Sequence, residues 1–290
     1  MVSGFIITFR ETLEAALIVG IVLSYLARLH QTEYNRTVYF AVVSGIVASI
    51  FGAWVFNHIA GGFSGRSEEI FEGFVMLIGA VLLTTMILWM MKQKHVAREL
   101  EEKVAAEVGS AHRFGLFFLV FIAILREGIE TVIFLSASSF ASGNNSLIGA
   151  VLGIMAAVLL SYAMFVGAMK INLKRFFNVT SILLILFAAG LVAHGIHELQ
   201  EAGVVPILVE HLWDINPAVN PDGSYPLMHE KGVLGGLLAG LFGYNGNPSL
   251  LEVLSYFGYL ALIFFLWRNI ERLYDRERGA GFKTEAFSNH

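Results

Sequence analysis

Two short stretches of the chain place charged residues inside otherwise apolar runs. Residues 7–18 read ITFRETLEAALI and residues 124–135 read ILREGIETVIFL, so the spacing R-E-x-x-E occurs twice. In a helix, residues three and four positions apart lie on one face. Carboxylate oxygens are the ligands that hard and borderline metal ions favour in proteins. The spacing therefore predicts a metal site formed by glutamates beside two arginines, namely Glu11, Glu14, Glu127 and Glu130 with Arg10 and Arg126.

The segments that carry these charges are apolar enough to cross a membrane. The chain has 290 residues, of which 56% are hydrophobic and 14% are charged, whereas soluble domains carry about 25% charged residues. A helix needs roughly 20 apolar residues to cross the hydrocarbon core. Seven such runs occur, at about 4–28, 37–60, 70–92, 114–136, 146–169, 176–199 and 250–268. The sequence thus predicts an all-α membrane protein with seven transmembrane helices.

The distribution of lysine and arginine predicts the orientation of these helices, because cytoplasmic loops are enriched in both residues. With the N-terminus outside, fifteen of the nineteen fall on the inner side, Arg66 and Lys231 fall outside, and two belong to the motifs. We therefore expect an N-out/C-in permease domain at 1–273 and a cytoplasmic tail at 274–290. Residues 96–108 are expected to form an amphipathic helix on the inner surface.

The two motif copies start 116 residues apart, at Arg10 and Arg126, and three predicted spans separate them. The second copy must therefore enter the membrane in the opposite direction from the first. Two inverted units that meet at a midplane site are a recurring plan among transporters. The sequence predicts two inverted three-helix repeats, at about 4–92 and 114–199, followed by a seventh helix at about 250–268.

Charges at these depths need partners. One charged side chain at the bilayer centre costs about 2.5–3.5 kcal/mol on insertion scales. Mutual pairing that only locks helices together is one explanation. However, two arginines against four glutamates leave a formal charge of −2, and a cation is its natural partner.

The motifs resemble those of a known family. R-E-T-L-E at 10–14 and R-E-G-I-E at 126–130 are similar to the R-E-G-L-E motifs of the oxidase-dependent iron permeases, which include fungal plasma-membrane permeases and bacterial ferrous-iron uptake permeases. The resemblance covers nearly the whole chain. It implies that the motif glutamates are iron-translocating ligands and that a separate oxidase converts Fe(II) to Fe(III) during entry. The first copy departs from the pattern at Thr12, where the family has glycine.

A second group of candidate ligands lies near the predicted outer ends of the spans. His194, His197, Glu198 and Glu201 share one face of the sixth span. The start of the third span and the end of the second supply the remaining candidates, Glu72, Glu68, Glu69 and His58. Together they predict an outer vestibule that captures metal, although histidine and glutamate are also common at ordinary wet helix ends.

The remaining features restrict the class of function. The chain has no cysteine and a net charge of −4, which excludes thiolate metal sites and argues against nucleic acid as a partner. We expect an iron permease rather than an enzyme, located in the plasma membrane (the inner membrane in a Gram-negative bacterium), with iron as substrate and no permanently bound cofactor. The expected partners are iron, membrane lipid and an extracytoplasmic oxidase or iron-delivery protein; homo-oligomerisation stays open.

Three alternatives remain on the sequence alone. The first is transport of another divalent metal, such as lead or manganese. The second is an intramembrane metalloenzyme with carboxylate-bridged metals, which the absence of Glu-x-x-His from both motifs disfavours. The third is copper(I) binding by the M-x-x-x-M spacing of Met86 and Met90, although methionine is also a common packing residue.

Overall fold

The computed structural model describes residues 2–92, 103–105, 113–142, 147–165 and 173–288, with side chains at all of these except 89–92, 142, 173–178 and 270–288. All regular structure in these ranges is helical, as predicted. Eight α-helices occur there: α1 Val2–Arg28, α2 Asn35–Ala60, α3 Arg66–Lys92, α4 Arg113–Ser142, α5 Leu147–Phe165, α6 Leu173–Glu201, α7 Val233–Phe242 and α8 Leu250–Ser288, with a 3-10 turn at Thr32–Tyr34 before α2.

Five of these helices are long and apolar enough to cross a membrane: α2, α3, α5, α6 and α8. Helices α1 and α4 have 27 and 30 residues, so their length also suffices. Each carries the three charges of one R-E-x-x-E motif in its middle, which removes it from a count based on apolar composition. Five of the seven predicted spans therefore meet the criterion of length and apolar composition. The other two predicted spans are α1 and α4, the helices that carry the motifs.

The helices of the two halves pack mainly on each other. Helix α1 packs most extensively on α5, α2 on α4, and α3 on α6. Glycines allow close approach at two of these crossings. A β-carbon at Gly153 of α5 would lie 2.2 Å from Thr8 Oγ1 of α1, and a β-carbon at Gly45 of α2 would lie 2.9 Å from Ile124 of α4.

Two apolar cores lie on either side of the motifs. The first contains Ile7 of α1 and Phe134 of α4, and the second contains Val22 of α1 and Val120 of α4. Helix α1 therefore passes the first core, its motif and then the second core, whereas α4 passes them in the reverse order. The two motif helices run in opposite directions, with both sets of charges held between the cores.

The C-terminal part of the chain differs in detail from the prediction. Helix α7 packs against α6, α1 and α4. It ends at Phe242 and is capped by Gly243, whose φ of 68° favours glycine. A β-carbon at Gly243 would lie 2.3 Å from Gly190 Cα of α6, so the missing side chain permits this close contact. Helix α8 continues to Ser288, through residues predicted as a tail. Most of the predicted amphipathic helix at 96–108 lies outside the described residues, although Val104 is buried in the second core.

Candidate metal centre

The first motif forms a compact, buried ion-pair cluster on α1. The Arg10 side chain is 0% exposed; its Nη1 donates to Glu11 Oε1 at 3.2 Å, and its Nη2 lies 3.0 Å from Glu14 Oε1. Nη1 also donates to Met86 Sδ of α3 at 2.9 Å. One guanidinium therefore holds both glutamates of its own copy and ties α1 to α3.

The second motif repeats these pairings in a more open environment. Arg126 donates from Nε and Nη2 to Glu127 Oε1, and its Nε lies 3.5 Å from Glu130 Oε1. Glu127 is buried, whereas Arg126 is 49% exposed. The two copies thus make similar ion pairs, but their arginines differ in exposure.

Carboxylates from both copies converge between α1 and α4. Glu11, Glu14 and Glu127 each offer one oxygen, and these three oxygens lie within 4.8 Å of one another. Metal ions hold carboxylate oxygens at about 2.0–2.6 Å, so two ligands on opposite sides of one ion lie about 4–5 Å apart. The spacing of the three oxygens suits a single cation, with two ligands from α1 and one from α4.

The surroundings of these oxygens support the same interpretation. Glu11 Oε2 and Glu127 Oε2 are buried and accept no hydrogen bond from the part of the chain that the structure describes. A buried carboxylate oxygen without a partner is costly, and a metal ion would satisfy it. The residues present therefore fit a hard cation held by oxygen ligands.

Glu130 is placed differently from the other three predicted ligands. It pairs with Arg126 at 3.5 Å and acts electrostatically on Glu11 and Glu14. It does not belong to the converging set of three oxygens. Four glutamates were predicted as ligands, and the structure brings three of them together.

The third position of each motif also differs between the copies. A β-carbon at Gly128 would lie 1.9 Å from Ser49 Oγ of α2, so glycine is required there for close packing of α2 on α4. Thr12 lines a cavity of about 680 Å³ between α1, α2, α4 and α5, and Gly128 borders the same cavity. Glu11 and Glu127 also line this cavity, which extends along α1 to Ser24. Exposed side chains such as Ile50 and Tyr162 also border this cavity, so it adjoins the candidate ligands and opens at the surface of the helix bundle.

Some of the predicted outer-vestibule residues form a second group. His197 Nε2 lies 3.3 Å from Glu201 Oε1. Glu198 interacts electrostatically with Glu72, Glu201, His197 and Glu69, and Glu68 acts in the same way on Glu72. Six of the eight predicted residues are thus close in space at the junction of α3 and α6.

The other two predicted residues lie apart from this group. His194 is turned toward its own helix, with Nδ1 2.9 Å from the Gly190 carbonyl oxygen. His58 is exposed and stacks on Trp54, with the ring centroids 5.7 Å apart. Neither contact brings an imidazole nitrogen to the acidic side chains of the vestibule.

Two residues of these sites were not predicted in their observed roles. Met86 was weighed as a copper ligand, but its sulfur accepts a hydrogen bond from Arg10. The Met90 side chain lies outside the described part. Glu252 was not predicted at all, although its Oε1 lies 3.0 Å from His197 Nδ1. The S-x-x-E spacing of residues 249–252 was the available signal, since it marks the start of a helix.

Comparison with known proteins identifies the family of this chain. The model of the Iron permease FTR1 family matches residues 1–270, and this chain belongs to that family. It is a multi-pass membrane protein.

Individual relatives match over almost their whole length. The chain is 37% identical over 271 residues to a protein named "Ferrous iron permease EfeU" of Yersinia pestis, covering 91% of this chain and 93% of the relative. It is 36% identical over 273 residues to the protein of the same name from Escherichia coli O6:H1, covering 92% and 95%. An uncharacterized protein of Archaeoglobus fulgidus is 36% identical over 280 residues, covering 95% and 96%. No solved structure matches.

Proposed function

We propose that this chain imports iron across the plasma membrane through a site formed by carboxylates of both R-E-x-x-E helices. The observation that carries the proposal is the convergence of Glu11, Glu14 and Glu127 within 4.8 Å. A purely structural pairing needs contacts only between each arginine and its own glutamates, whereas this arrangement joins carboxylates of two helices. Carboxylates repel one another at such distances unless a proton or a cation lies between them, and a metal ion would supply that positive charge.

The architecture that suits this function is a pair of inverted three-helix repeats followed by a seventh helix, oriented N-out/C-in. Helices α1 and α4 then cross the membrane with their charges facing the interior of the bundle. The exchange of partners between the halves, α1 with α5 and α2 with α4, supports this arrangement. The residues two positions before the motif arginines also support it. Thr8 contacts Gly153, and Ile124 contacts Gly45; each glycine belongs to the other half of the chain.

In this proposal the arginines organise the carboxylates and limit how tightly they hold iron. Arg10 contacts both glutamates of its copy, which fixes their oxygens in place before iron arrives. The charges of Arg10 and Arg126 reduce the formal charge of the four glutamates from −4 to −2, which weakens the attraction of the site for iron. A site for transport has to release its cargo, and a weaker field favours release.

The 680 Å³ cavity beside Glu11 and Glu127 suggests the route of release. It follows α1 toward Ser24 and α5 toward Phe165, which are inner ends in the N-out orientation. The Phe165 ring closes against Gly20 of α1, where even a β-carbon would lie 2.0 Å from it. Iron would leave along this path when the two halves move relative to each other.

Iron delivery is proposed to begin at the outer ends of α3 and α6. Glu68, Glu69, Glu72, His197, Glu198 and Glu201 would capture iron there, and a separate extracytoplasmic oxidase would convert Fe(II) to Fe(III) during entry. The oxidase is inferred from the family resemblance. The support for capture is the grouping of these six side chains around the junction of α3 and α6.

Uptake of radioactive iron by proteoliposomes tests the proposal. We expect the wild-type chain to carry iron inward and Glu14→Gln to lower the rate by more than about 10-fold, since the loss of a direct ligand should exceed that of a supporting group. Glu33→Gln, at an exposed glutamate that pairs with Arg113, is the matched control and should transport normally. Adding an oxidase should increase uptake of Fe(II).

The same preparation discriminates the alternatives. Entry of lead or manganese without entry of iron would show that the transported metal is not iron. Metal-dependent turnover of a substrate without net iron entry would indicate an intramembrane metalloenzyme. Normal iron uptake by Glu14→Gln would overturn the assignment of the site.

A further inference from the structure

A buried carboxylate outside the motifs lies at the start of α8. The Glu252 side chain is 2% exposed, and its two oxygens accept three hydrogen bonds. Oε1 accepts from the Ser249 backbone N–H at 2.9 Å and lies 3.0 Å from His197 Nδ1. Oε2 accepts from Asn245 Nδ2 at 2.7 Å. This glutamate therefore joins the first turn of α8 to a histidine on α6.

These contacts determine which nitrogen of His197 carries a proton. A backbone N–H and an amide NH₂ can only donate, so both oxygens of Glu252 act as acceptors. Nδ1 of His197 must then be the donor in the third contact. In the neutral ring, the lone pair is left on Nε2, which lies on the opposite side from Glu252.

Nε2 faces a second carboxylate. Its distance to Glu201 Oε1 is 3.3 Å. A protonated Nε2 donates to Glu201, whereas the lone pair of the neutral ring needs a cation between the two atoms. If a metal ion lay about 2.1 Å from both atoms, the N–metal–O angle would be about 100°, close to tetrahedral. His197 and Glu201 are 38% and 54% exposed, so an ion can reach this position.

We propose that Glu252 is a positioning residue that fixes His197 with Nε2 toward Glu201, so that the two side chains hold a divalent metal ion at the outer end of α6. A carboxylate behind a metal-binding histidine is a recurring arrangement that orients the ring and strengthens the ligand. The pair is separate from the Glu11, Glu14 and Glu127 site. Only the identity of the cargo, iron, rests on the proposed function.

Glu252 also has a helix-capping role, which the test has to separate from orientation of His197. Ser249 Oγ accepts from the Glu252 N–H while Glu252 Oε1 accepts from the Ser249 N–H, a reciprocal capping box. Ser249→Ala removes the cap hydroxyl and leaves the carboxylate against His197. Glu252→Gln changes both features, because its amide NH₂ must face one of the three donors.

Binding of Co²⁺ to the purified full-length chain, measured by titration calorimetry, provides a readout other than transport. The deep site is first disabled with Glu14→Gln and Glu127→Gln, so that the outer pair is measured alone. In this background we expect Glu252→Gln and His197→Ala each to weaken Co²⁺ binding by about 10–100-fold. Ser249→Ala should bind Co²⁺ as the background does.

Combining the substitutions shows whether Glu252 acts through His197. If it does, adding Glu252→Gln to His197→Ala should weaken Co²⁺ binding no further. Independent, additive losses would overturn the positioning role, as would equal losses for Ser249→Ala and Glu252→Gln. Unchanged binding in His197→Ala, which leaves the start of α8 intact, would show that Nε2 pairs only with a proton and would overturn the site. Failure of the wild-type chain to transport iron, with Co²⁺ binding at the outer pair retained, would count against the proposed function alone.

Discussion

At the scale of single residues, the main finding is that two copies of the R-E-x-x-E spacing lie in unequal environments. Arg10 is fully buried, whereas Arg126 is 49% exposed. Arg10 also contacts Met86 on a neighbouring helix. The first copy therefore contributes more to the stability of the bundle, while the second presents its charges to a more open space.

This inequality predicts different losses of stability. Arg10→Gln leaves Glu11 and Glu14 as buried charges without compensation, which costs about 3–5 kcal/mol for a broken buried pair. Arg126→Gln should cost less, on the order of 1–3 kcal/mol, within the usual range for single substitutions. Thermal unfolding in detergent, followed by circular dichroism, should give the lower Tm for Arg10→Gln. Equal Tm values would contradict the burial argument.

The motif spacing predicted much at this scale but not everything. It placed Glu14 beside Arg10 and Glu130 beside Arg126, because i and i+4 positions share a helix face. It could not show that Glu130 lies outside the converging set, since that depends on how α1 and α4 rotate against each other. Nor could it assign Met86, whose partner is 76 residues away.

At the scale of helices, small residues decide how closely the two halves approach. Gly128 is the clearest case, because a β-carbon there would lie 1.9 Å from Ser49 Oγ. This contact joins α2 and α4 one residue beyond Glu127, a proposed ligand. Packing at this glycine therefore affects the position of the Glu127 carboxylate.

Substitution of this glycine tests the packing. Gly128→Ala should destabilise the chain by about 1–3 kcal/mol through overpacking, and Ser49→Gly in the same chain should restore most of the loss by making room. Gly52→Ala is the matched control, because no atom lies within 4 Å of its β-carbon. Tm values of the three variants and of the wild type in detergent check the prediction. Equal losses for Gly128→Ala and Gly52→Ala would show that the contact with Ser49 has no effect.

The sequence predicted the helices better than their packing. Apolar runs near 20 residues identified the five composition-defined spans and both motif helices. The runs did not predict that α8 continues to Ser288, because its polar C-terminal part lacks the apolar signal used to define spans. The packing of α1 on α5 and of α2 on α4 could not be predicted either, because it depends on contacts between helix surfaces that are far apart in the chain.

At the scale of the whole molecule, the opposite directions of α1 and α4 place matching motifs from both halves at one level. Both apolar cores contain residues of both helices. A movement of one half against the other would therefore change the distance between Glu127 and the two glutamates of α1. Such a site can be tight in one arrangement and loose in another.

Cysteine labelling tests the proposed orientation, and the chain has no native cysteine to interfere. Ser64, between α2 and α3, and Thr32, between α1 and α2, are both exposed. In intact cells, an impermeant maleimide should label Ser64→Cys and should label Thr32→Cys only after the membrane is opened. The reverse pattern would contradict both the N-out orientation and the inward direction of transport.

The central claim is that carboxylates of both motifs bind the transported ion rather than only balance their arginines. Iron uptake by Glu127→Gln and by Glu127→Gln with Arg126→Gln, in proteoliposomes, tests it most directly. The single change removes a ligand; the double change restores the formal charge balance but not the ligand. We expect both proteins to fold and both to lose uptake by more than about 10-fold, as expected for a lost metal ligand. Recovery of iron uptake in the double variant would contradict the claim and leave charge pairing as the function of the motif.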